Sequence, residues 1–343
     1  MPDPSIIALD ATYSLGHHLS GVGVYSREIL FGLAAAHPES SFQFCYRPHR
    51  LVRSLREDLP RNCRRFLLTG TVIPRKAALF HALNQRLPAS RPRRTVTTFH
   101  DLFVLTGDYS TPEFRGRFAA QARHAAAQSD LIIAVSAFTA SQVEQLLGVE
   151  RSRIRVVHHG VRAPLPGRLR REKIILHVGA IQKRKNVARL IEAFQALPGD
   201  WRLALAGSHG FGAEEILGKV RSSRILTPGY VTACELADWY ARAMILAFPS
   251  LDEGFGIPVL EAMAAGVPVI TSNRSATREI AGNAAMLIDP ESVEELKAAL
   301  QTLTGDERLR KDLASRGRMR AAEFTWGRAL ENTWNVYGEL LGI

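Results

Sequence analysis

An apolar run at residues 244–248 ends on Pro249 and leads into a loop carrying Gly254 and Gly256. The run is apolar throughout rather than alternating, so it reads as a buried parallel strand. The glycines let the loop backbone come close to a ligand. Pro258 suits a first helical position, where its fixed φ and missing N–H do no harm. A helix over 259–265, a stop at Gly266 and a second strand over 267–270 complete the unit. This commits the region to a parallel α/β arrangement and presents orphan backbone N–H groups to an anion.

Glu253 and Glu261 flank that loop in a Glu-x7-Glu pattern. A site for anions alone would not hold carboxylates here. They fit as acceptors for sugar hydroxyls, with N–H groups and nearby cations holding phosphate. The spacing leaves a plainer role open, in which Glu261 only favours the helix dipole and Glu253 is solvated.

At 343 residues the chain exceeds one ordinary core, so two domains are expected. Hydrophobic residues at 46% and charged residues at 22% describe a globular protein. No apolar run is long enough to span a bilayer, and the N-terminal stretch lacks the features of a signal peptide. Cys45, Cys63 and Cys234 are odd in number and lack metal spacing, so they are expected as reduced thiols in a cytoplasmic protein. The net charge of +11 is uneven. Residues 1–168 carry 22 Lys and Arg against 12 Asp and Glu, and the remainder 22 against 21. The basic half suits nucleic acid, an anionic membrane surface or a phosphorylated substrate. Arginine richness with no partner stays open.

Along the chain, residues 6–10 read as a first buried strand, followed by a loop through Gly21 and Gly23 and a helix over 24–36. Strand, Gly-x-Gly, helix is again a phosphate- or sugar-approach geometry, but no third glycine closes a dinucleotide fingerprint. Strands are expected at 42–46, 66–69, 79–83 and 95–99, with an arginine-rich connection over 47–65. His100 and Asp101 follow the fourth of these, at a strand's carboxyl end, where ligands of open α/β sheets bind. A helix over 112–128, a strand over 131–135 and a helix over 137–147 capped by Ser136 come next. A linker over 162–171 marks the domain boundary.

The alternation then restarts. A strand over 174–178 ends at Gly179, and Lys183, Arg184 and Lys185 precede a helix over 187–197. Three cations between a strand and a helix suit a diphosphate, although a solvated charge run would look the same. A strand at 203–206, a capping box at Thr232–Glu235, further helices and a strand at 285–288 lead to a terminal helix over 325–341. Its Trp326, Leu330, Trp334, Tyr337 and Leu341 form an apolar stripe that must be buried, most simply at the junction of two domains.

Taken together, the segments Gly21-Val-Gly-Val-Tyr25, Phe99-His-Asp101, Val135-Ser-Ala-Phe-Thr139, Val157-His-His-Gly-Val161, Val178-Gly-Ala180, Arg184-Lys-Asn186, the Glu-x7-Glu loop and Phe324-Thr-Trp326 with Tyr337 resemble the retaining family-4 glycosyltransferases. The resemblance covers nearly the whole chain and is weakest over 47–95. It implies a GT-B fold, two Rossmann-like parallel-sheet domains facing a cleft. The implied division is an acceptor-binding domain at 1–165, a nucleotide-sugar-binding domain at 166–324 and a helix at 325–343 returning to the first.

The resemblance also implies roles. Glu253 would accept hydrogen bonds from donor-sugar hydroxyls and Glu261 would hold the nucleotide ribose. The backbone of Gly254, Phe255 and Gly256 would approach sugar and phosphates, with Gly179 nearby. Arg184 and Lys185 would neutralise the leaving diphosphate, Lys183 being an open alternative. His100 would lie over the donor sugar, Gly21 and Gly23 would line the cleft, and Asp10 and Asp101 would serve the acceptor side. Ala180 departs from the family pattern, where an arginine often follows the glycine.

No Asp-x-Asp motif occurs, so side-chain cations and helix N-termini are expected in place of a bound metal, and no cofactor is expected. The branch resembled is mannosyltransferase-like. It implies GDP-mannose as donor in surface polysaccharide synthesis, and the basic first half suits a lipid-linked saccharide acceptor at the cytoplasmic face of an anionic inner membrane. UDP- or ADP-sugar donors, a sugar-nucleotide epimerase and a phosphorylase of the same architecture are the alternatives. A nucleic-acid-binding protein is disfavoured, because no interleaved basic-aromatic strand or helix-turn-helix signal is present.

Overall fold

The computed structural model describes residues 6–16, 19–90, 92–162 and 170–342. Most of the linker expected over 162–171 lies outside the described residues, as does Arg91. The chain forms two compact units. One comprises Met1–Leu105, Pro112–Gly160 and Trp326–Ile343, the other Thr106–Thr111 and Val161–Thr325.

The first unit runs β1 (Ile6–Asp10), α1 (Gly21–Ala36), β2 (Ser41–Tyr46), α2 (Pro48–Ser54), β3 (Cys63–Leu67), β4 (Leu79–Ala82), β5 (Thr95–Phe99), α3 (Phe103–Thr106), α4 (Pro112–Gln128), β6 (Leu131–Ala134), α5 (Ala137–Leu147) and β7 (Ile154–Val156). Its strands pair in parallel in the order β3-β2-β1-β4-β5-β6-β7. The winding direction reverses between β1 and β4, so their carboxyl ends flank a switch-point crevice.

Two expectations change here. Helix α1 starts at Gly21, not after Gly23, because the Ser20 hydroxyl accepts from the Gly23 N–H (3.3 Å) as an N-cap. A Cβ on Gly23 would stand 2.9 Å from the Tyr13 carbonyl, so glycine here allows a backbone approach as well. The arginine-rich connection is also structured, holding α2 and the start of β3. Strand β3 is an edge strand, and its half-exposed, charged residues hide the strand pattern.

The second unit runs β8 (Glu172–Val178), α6 (Val187–Gln195), β9 (Arg202–Ala206), α7 (Ala213–Leu217), β10 (Ile225–Gly229), α8 (Ala233–Arg242), β11 (Ala243–Phe248), α9 (Ile257–Ala264), β12 (Val269–Ser272), α10 (Ser275–Ala281), β13 (Met286–Ile288), α11 (Val293–Gly305) and α12 (Glu307–Ala321). Strand order is β10-β9-β8-β11-β12-β13, all parallel. Its switch point lies between β8 and β11. Strand β10 and helix α7 have no counterpart in the sequence reading.

The last helix, α13 (Trp326–Leu341), belongs to the first unit. Its Trp326, Leu330, Trp334 and Leu341 pack on the core built from β1, β2 and α1, so the stripe is buried inside that unit. Trp334 stacks on His37 (centroids 3.5 Å apart), and Arg155 on β7 donates through Nε to Glu339 at 2.9 and 3.0 Å. Tyr337 is fully buried, its hydroxyl 2.6 Å from His81 Nδ1.

Candidate functional site

At the switch point of the second sheet two connections leave neighbouring strands. After β8, Lys183–Lys185 form one 3-10 turn that ends on Asn186 at φ 59°. After β11 comes the Pro249–Gly256 loop. The Leu251 N–H donates to the Arg184 carbonyl (2.9 Å), and the Asn186 side-chain amide donates to the Pro249 carbonyl (3.0 Å). These bonds lock the two connections in register.

The result is a buried cluster. Arg184 Nη1 reaches the Asp252 carbonyl (2.6 Å) and Glu253 Oε2 (3.0 Å), and Lys185 Nζ pairs with Glu253 Oε1. Lys185 also lies 4.8 Å above the centre of the Phe248 ring. Burial alone would raise the Glu253 carboxyl, but Arg184 and Lys185 overcome it and hold it down at about 2. Lys183 instead pairs with Glu215 at the surface (3.1 Å). Of the three cations, Arg184 and Lys185 are therefore the two brought together. Glu253, expected to meet sugar hydroxyls, carries a cation on each carboxylate oxygen.

Glu261 sits in α9 and accepts from the Tyr240 hydroxyl of α8 (2.9 Å). Burial pushes its carboxyl up to about 7, with the Tyr240 bond pulling it down. Phe255 is buried edge-to-face on Phe324 (6.1 Å), and Gly254 separates it from Glu253. Gly256 caps α9 at φ 105°, a left-handed conformation that favours glycine. Pro258 is the second helical residue, not the first. The Val259 and Leu260 N–H groups turn back to the Gly256 carbonyl (2.9 and 3.4 Å), so α9 presents fewer free donors than the strand-loop-helix pattern implies. The Gly179 N–H donates to the Ala206 carbonyl (2.9 Å).

The other expected residues lie in the first unit. His100 Nε2 donates to the Leu83 carbonyl (2.9 Å), so Nδ1 is the unprotonated nitrogen. Its ring meets Tyr25 edge-on (4.8 Å) and stacks with His159 (5.5 Å). Burial lowers its pKa to about 4, the Leu83 bond opposing, which keeps it neutral. Asp10 is fully buried at the end of β1. Its Oδ1 accepts from the Thr12 N–H (3.0 Å), and burial raises its pKa against the pull of Thr12 and Arg47. Gly21 and Gly23 open α1, and Asp101 follows β5. Among the described residues no cluster of His, Cys, Asp or Glu has the geometry of a metal site.

Comparison with known proteins fits this construction. The family described as Glycosyl transferases group 1 matches residues 166–320, and Glycosyltransferase Family 4 matches residues 19–163. The O-antigen chain mannosyltransferase B of Escherichia coli is 32% identical over 285 residues, spanning 76% of this chain and 74% of that protein. The chain is a family-4 glycosyltransferase. Among solved structures, sucrose-phosphate synthase from Thermosynechococcus elongatus superposes with a TM-score of 0.80 at 21% identity, covering 98% of this chain and 99% of the other. HepE from Anabaena, in complex with UDP and glucose, gives 0.75 at 16% identity, covering 98% and 100%. The fold of this family-4 glycosyltransferase is thus GT-B.

Sequence reasoning missed Tyr240 and Asp252. Tyr240 lies in a different helix from its partner Glu261, and no local pattern connects them. Asp252 stands beside Glu253, but its role is played by a backbone carbonyl, and its Oδ2 accepts from the Thr106 hydroxyl (2.8 Å). That contact belongs to the Thr106–Thr111 segment of the second unit, which no sequence signal foreshadows.

Proposed function

We propose that this glycosyltransferase moves mannose from GDP-mannose onto a lipid-linked saccharide in bacterial surface polysaccharide synthesis. It does so with retention of anomeric configuration and without a metal. The observation that carries the reading is the buried Arg184–Glu253–Lys185 cluster at the switch point of the second sheet. The mannose donor and the polysaccharide product rest on the likeness to the Escherichia coli O-antigen mannosyltransferase.

In this reading the sugar–phosphate bond loosens to an oxocarbenium-like transition state, and charge gathers on the departing diphosphate. Arg184 and Lys185, aligned in advance by Glu253, stabilise that charge. A donor of this kind is worth roughly 3–4 kcal/mol. Glu253 positions both cations and offers its remaining lone pairs to sugar hydroxyls. Glu261 accepts from the ribose diol. The attack proceeds on the face the leaving phosphate vacates, with that phosphate assisting. The basic half, together with Val52 (77% exposed) and Leu55 (66%) beside Arg53 and Arg56, supports peripheral binding to an anionic membrane.

The test is a donor panel. GDP, UDP and ADP sugars are titrated calorimetrically against the wild type, Glu261→Ala and Lys185→Ala, with and without chelator. Selective binding of GDP-mannose, weakened at least tenfold by both substitutions and indifferent to chelator, is expected. Selective binding of a UDP sugar, the nucleotide that HepE carries, would keep the site and overturn the donor. If no sugar nucleotide bound, the assignment of the cluster would fall.

A further inference from the structure

We propose that Tyr25 is a positioning residue for His100, and that the terminal helix anchors it through a buried chain of hydrogen bonds. The chain starts on α13, where the Tyr337 hydroxyl lies 2.6 Å from His81 Nδ1 of β4. His81 Nε2 lies 2.8 Å from the Thr98 hydroxyl on the neighbouring strand β5. The Tyr25 hydroxyl of α1 lies 2.9 Å from that same Thr98 oxygen. One line thus ties α13, β4, β5 and α1 together, and all four side chains are buried.

The line ends at the histidine expected to serve the donor sugar. The Tyr25 ring meets His100 edge-on (4.8 Å, 81° between planes) and His159 at the same distance. Trp326, the first residue of α13, lies 6.4 Å from Tyr25 and 6.1 Å from His159. Helix α13 therefore reaches this group of rings at its start, and the Tyr25 hydroxyl from Tyr337, about three turns further on. His159 is buried, whereas His100 is half-buried and keeps part of its surface open. Among the described residues His100 makes one hydrogen bond, from Nε2 to the Leu83 carbonyl (2.9 Å). One bond fixes a point of the ring and not its plane. The contacts with Tyr25 and His159 set the plane.

Packing alone does not call for this polar chain. The face of the first unit that α13 covers is apolar, and apolar side chains at these positions would cover it with no polar group at risk of being left unpaired. A buried polar chain is destabilising when broken and specifies one arrangement when complete. Burial lowers the His81 pKa to about 3, with His100 adding to the shift, and raises both tyrosines, so each of these groups stays neutral. A neutral imidazole has one donor and one acceptor nitrogen and so bridges two hydroxyls in a fixed order.

The proposal rests on the reading in which His100 serves the donor sugar, so the test includes His100→Ala. Turnover is followed as GDP released when GDP-mannose gives its mannose to water, or with a UDP sugar if the donor panel selects one. The ring nitrogens of His100 are followed by NMR in histidine-labelled protein and assigned by their loss in His100→Ala. Tyr25→Phe keeps the ring and removes its tether, Tyr25→Leu removes both, and Tyr337→Phe cuts the chain at α13. Below their melting temperatures, Tyr25→Phe and Tyr337→Phe should lower kcat severalfold and Tyr25→Leu about tenfold, since small misplacements of a reacting group are costly. KM should hold and the His100 signals should move in each variant. A merely structural role would lower the melting temperature and leave kcat and the His100 signals in place. Should Tyr25→Leu not fold, Tyr25→Phe decides. Unmoved His100 signals in Tyr25→Phe, or moved signals with wild-type kcat, would overturn the proposal, while an inactive His100→Ala keeps the reading of His100. Wild-type kcat in Tyr337→Phe would overturn the part given to the helix. Wild-type turnover by His100→Ala would bring down the reading of His100 and the proposal together.

Discussion

Glu261 and Glu253 are two carboxylates of one loop-helix unit, and their surroundings push them in opposite directions. Two cations hold Glu253 ionised, whereas burial against a single tyrosine hydroxyl brings Glu261 to about 7. If Glu261 accepts from a ribose diol it must be ionised, so sugar-nucleotide affinity should rise through pH 7. Between pH 6 and pH 8 the gain is about tenfold, since a carboxyl of that pKa goes from mostly protonated to mostly ionised. The diphosphate of a sugar nucleotide does not titrate in this range. Glu261→Gln should bind more weakly at pH 8 and show a flat profile, and a wild-type profile that is flat as well would sink the role. Stability runs the other way. A carboxyl raised in the folded state favours folding at low pH, and that contribution is lost as pH rises through 7. At this scale the sequence exposed the two carboxylates and the run of cations, because both are local patterns. It could not show that Lys183 turns to Glu215, or that Tyr240 finds Glu261, because partner choice is decided by packing.

Helix α9 is the element on which the donor-side residues depend. It begins at a glycine with φ 105°, so the direction in which Glu253 and Glu261 project from either side of that corner depends on a conformation that L side chains avoid. Gly256→Ala should cost about 1–2 kcal/mol of stability from the left-handed conformation alone. A Cβ there would be only 3.4 Å from Thr277 Cγ2, an ordinary contact, so strain rather than collision sets the cost. Because the corner aligns the site, sugar-nucleotide affinity should fall by at least tenfold. Calorimetric titration together with a melting curve checks both, and loss of stability with unchanged affinity would detach the corner from binding. Elements with caps were legible from sequence. Helix α5 has Ser136 at one end and a left-handed Gly148 at the other, and its expected bounds match. Strand β10 was not legible, since Ile-Leu-Thr-Pro-Gly is short, half exposed and broken by proline. Only Ile225 of this edge strand is buried, so it leaves little apolar signature.

For the whole molecule, the alternation of strand and helix over the full length was enough to give two parallel sheets. The alternation alone could not give the return of α13 into the first core, because an apolar stripe says that it must be covered and not by what; only the resemblance to the family carried that helix back to the first domain. Charge is the other property legible at this scale. The excess of Lys and Arg falls in residues 1–168, and α2 adds an apolar component, with Val52 and Leu55 turned to solvent beside Arg53 and Arg56. Solvent-exposed leucine and valine flanked by arginine are costly in water and favourable at an anionic interface. No helix among the described residues is long and apolar enough to cross a membrane. Each arginine at such a surface is worth about 1 kcal/mol, so Arg53→Gln with Arg56→Gln should weaken binding to phosphatidylserine-containing vesicles by roughly 30-fold. The attraction should vanish in vesicles of phosphatidylcholine alone and fade in 0.5 M salt, where screening acts within a few ångströms. Leu55→Ser should weaken binding through the apolar component and leave the salt dependence in place, which separates the two contributions. Co-sedimentation measures all of these, and equal binding of the double arginine variant and the wild type would overturn α2 as a membrane contact.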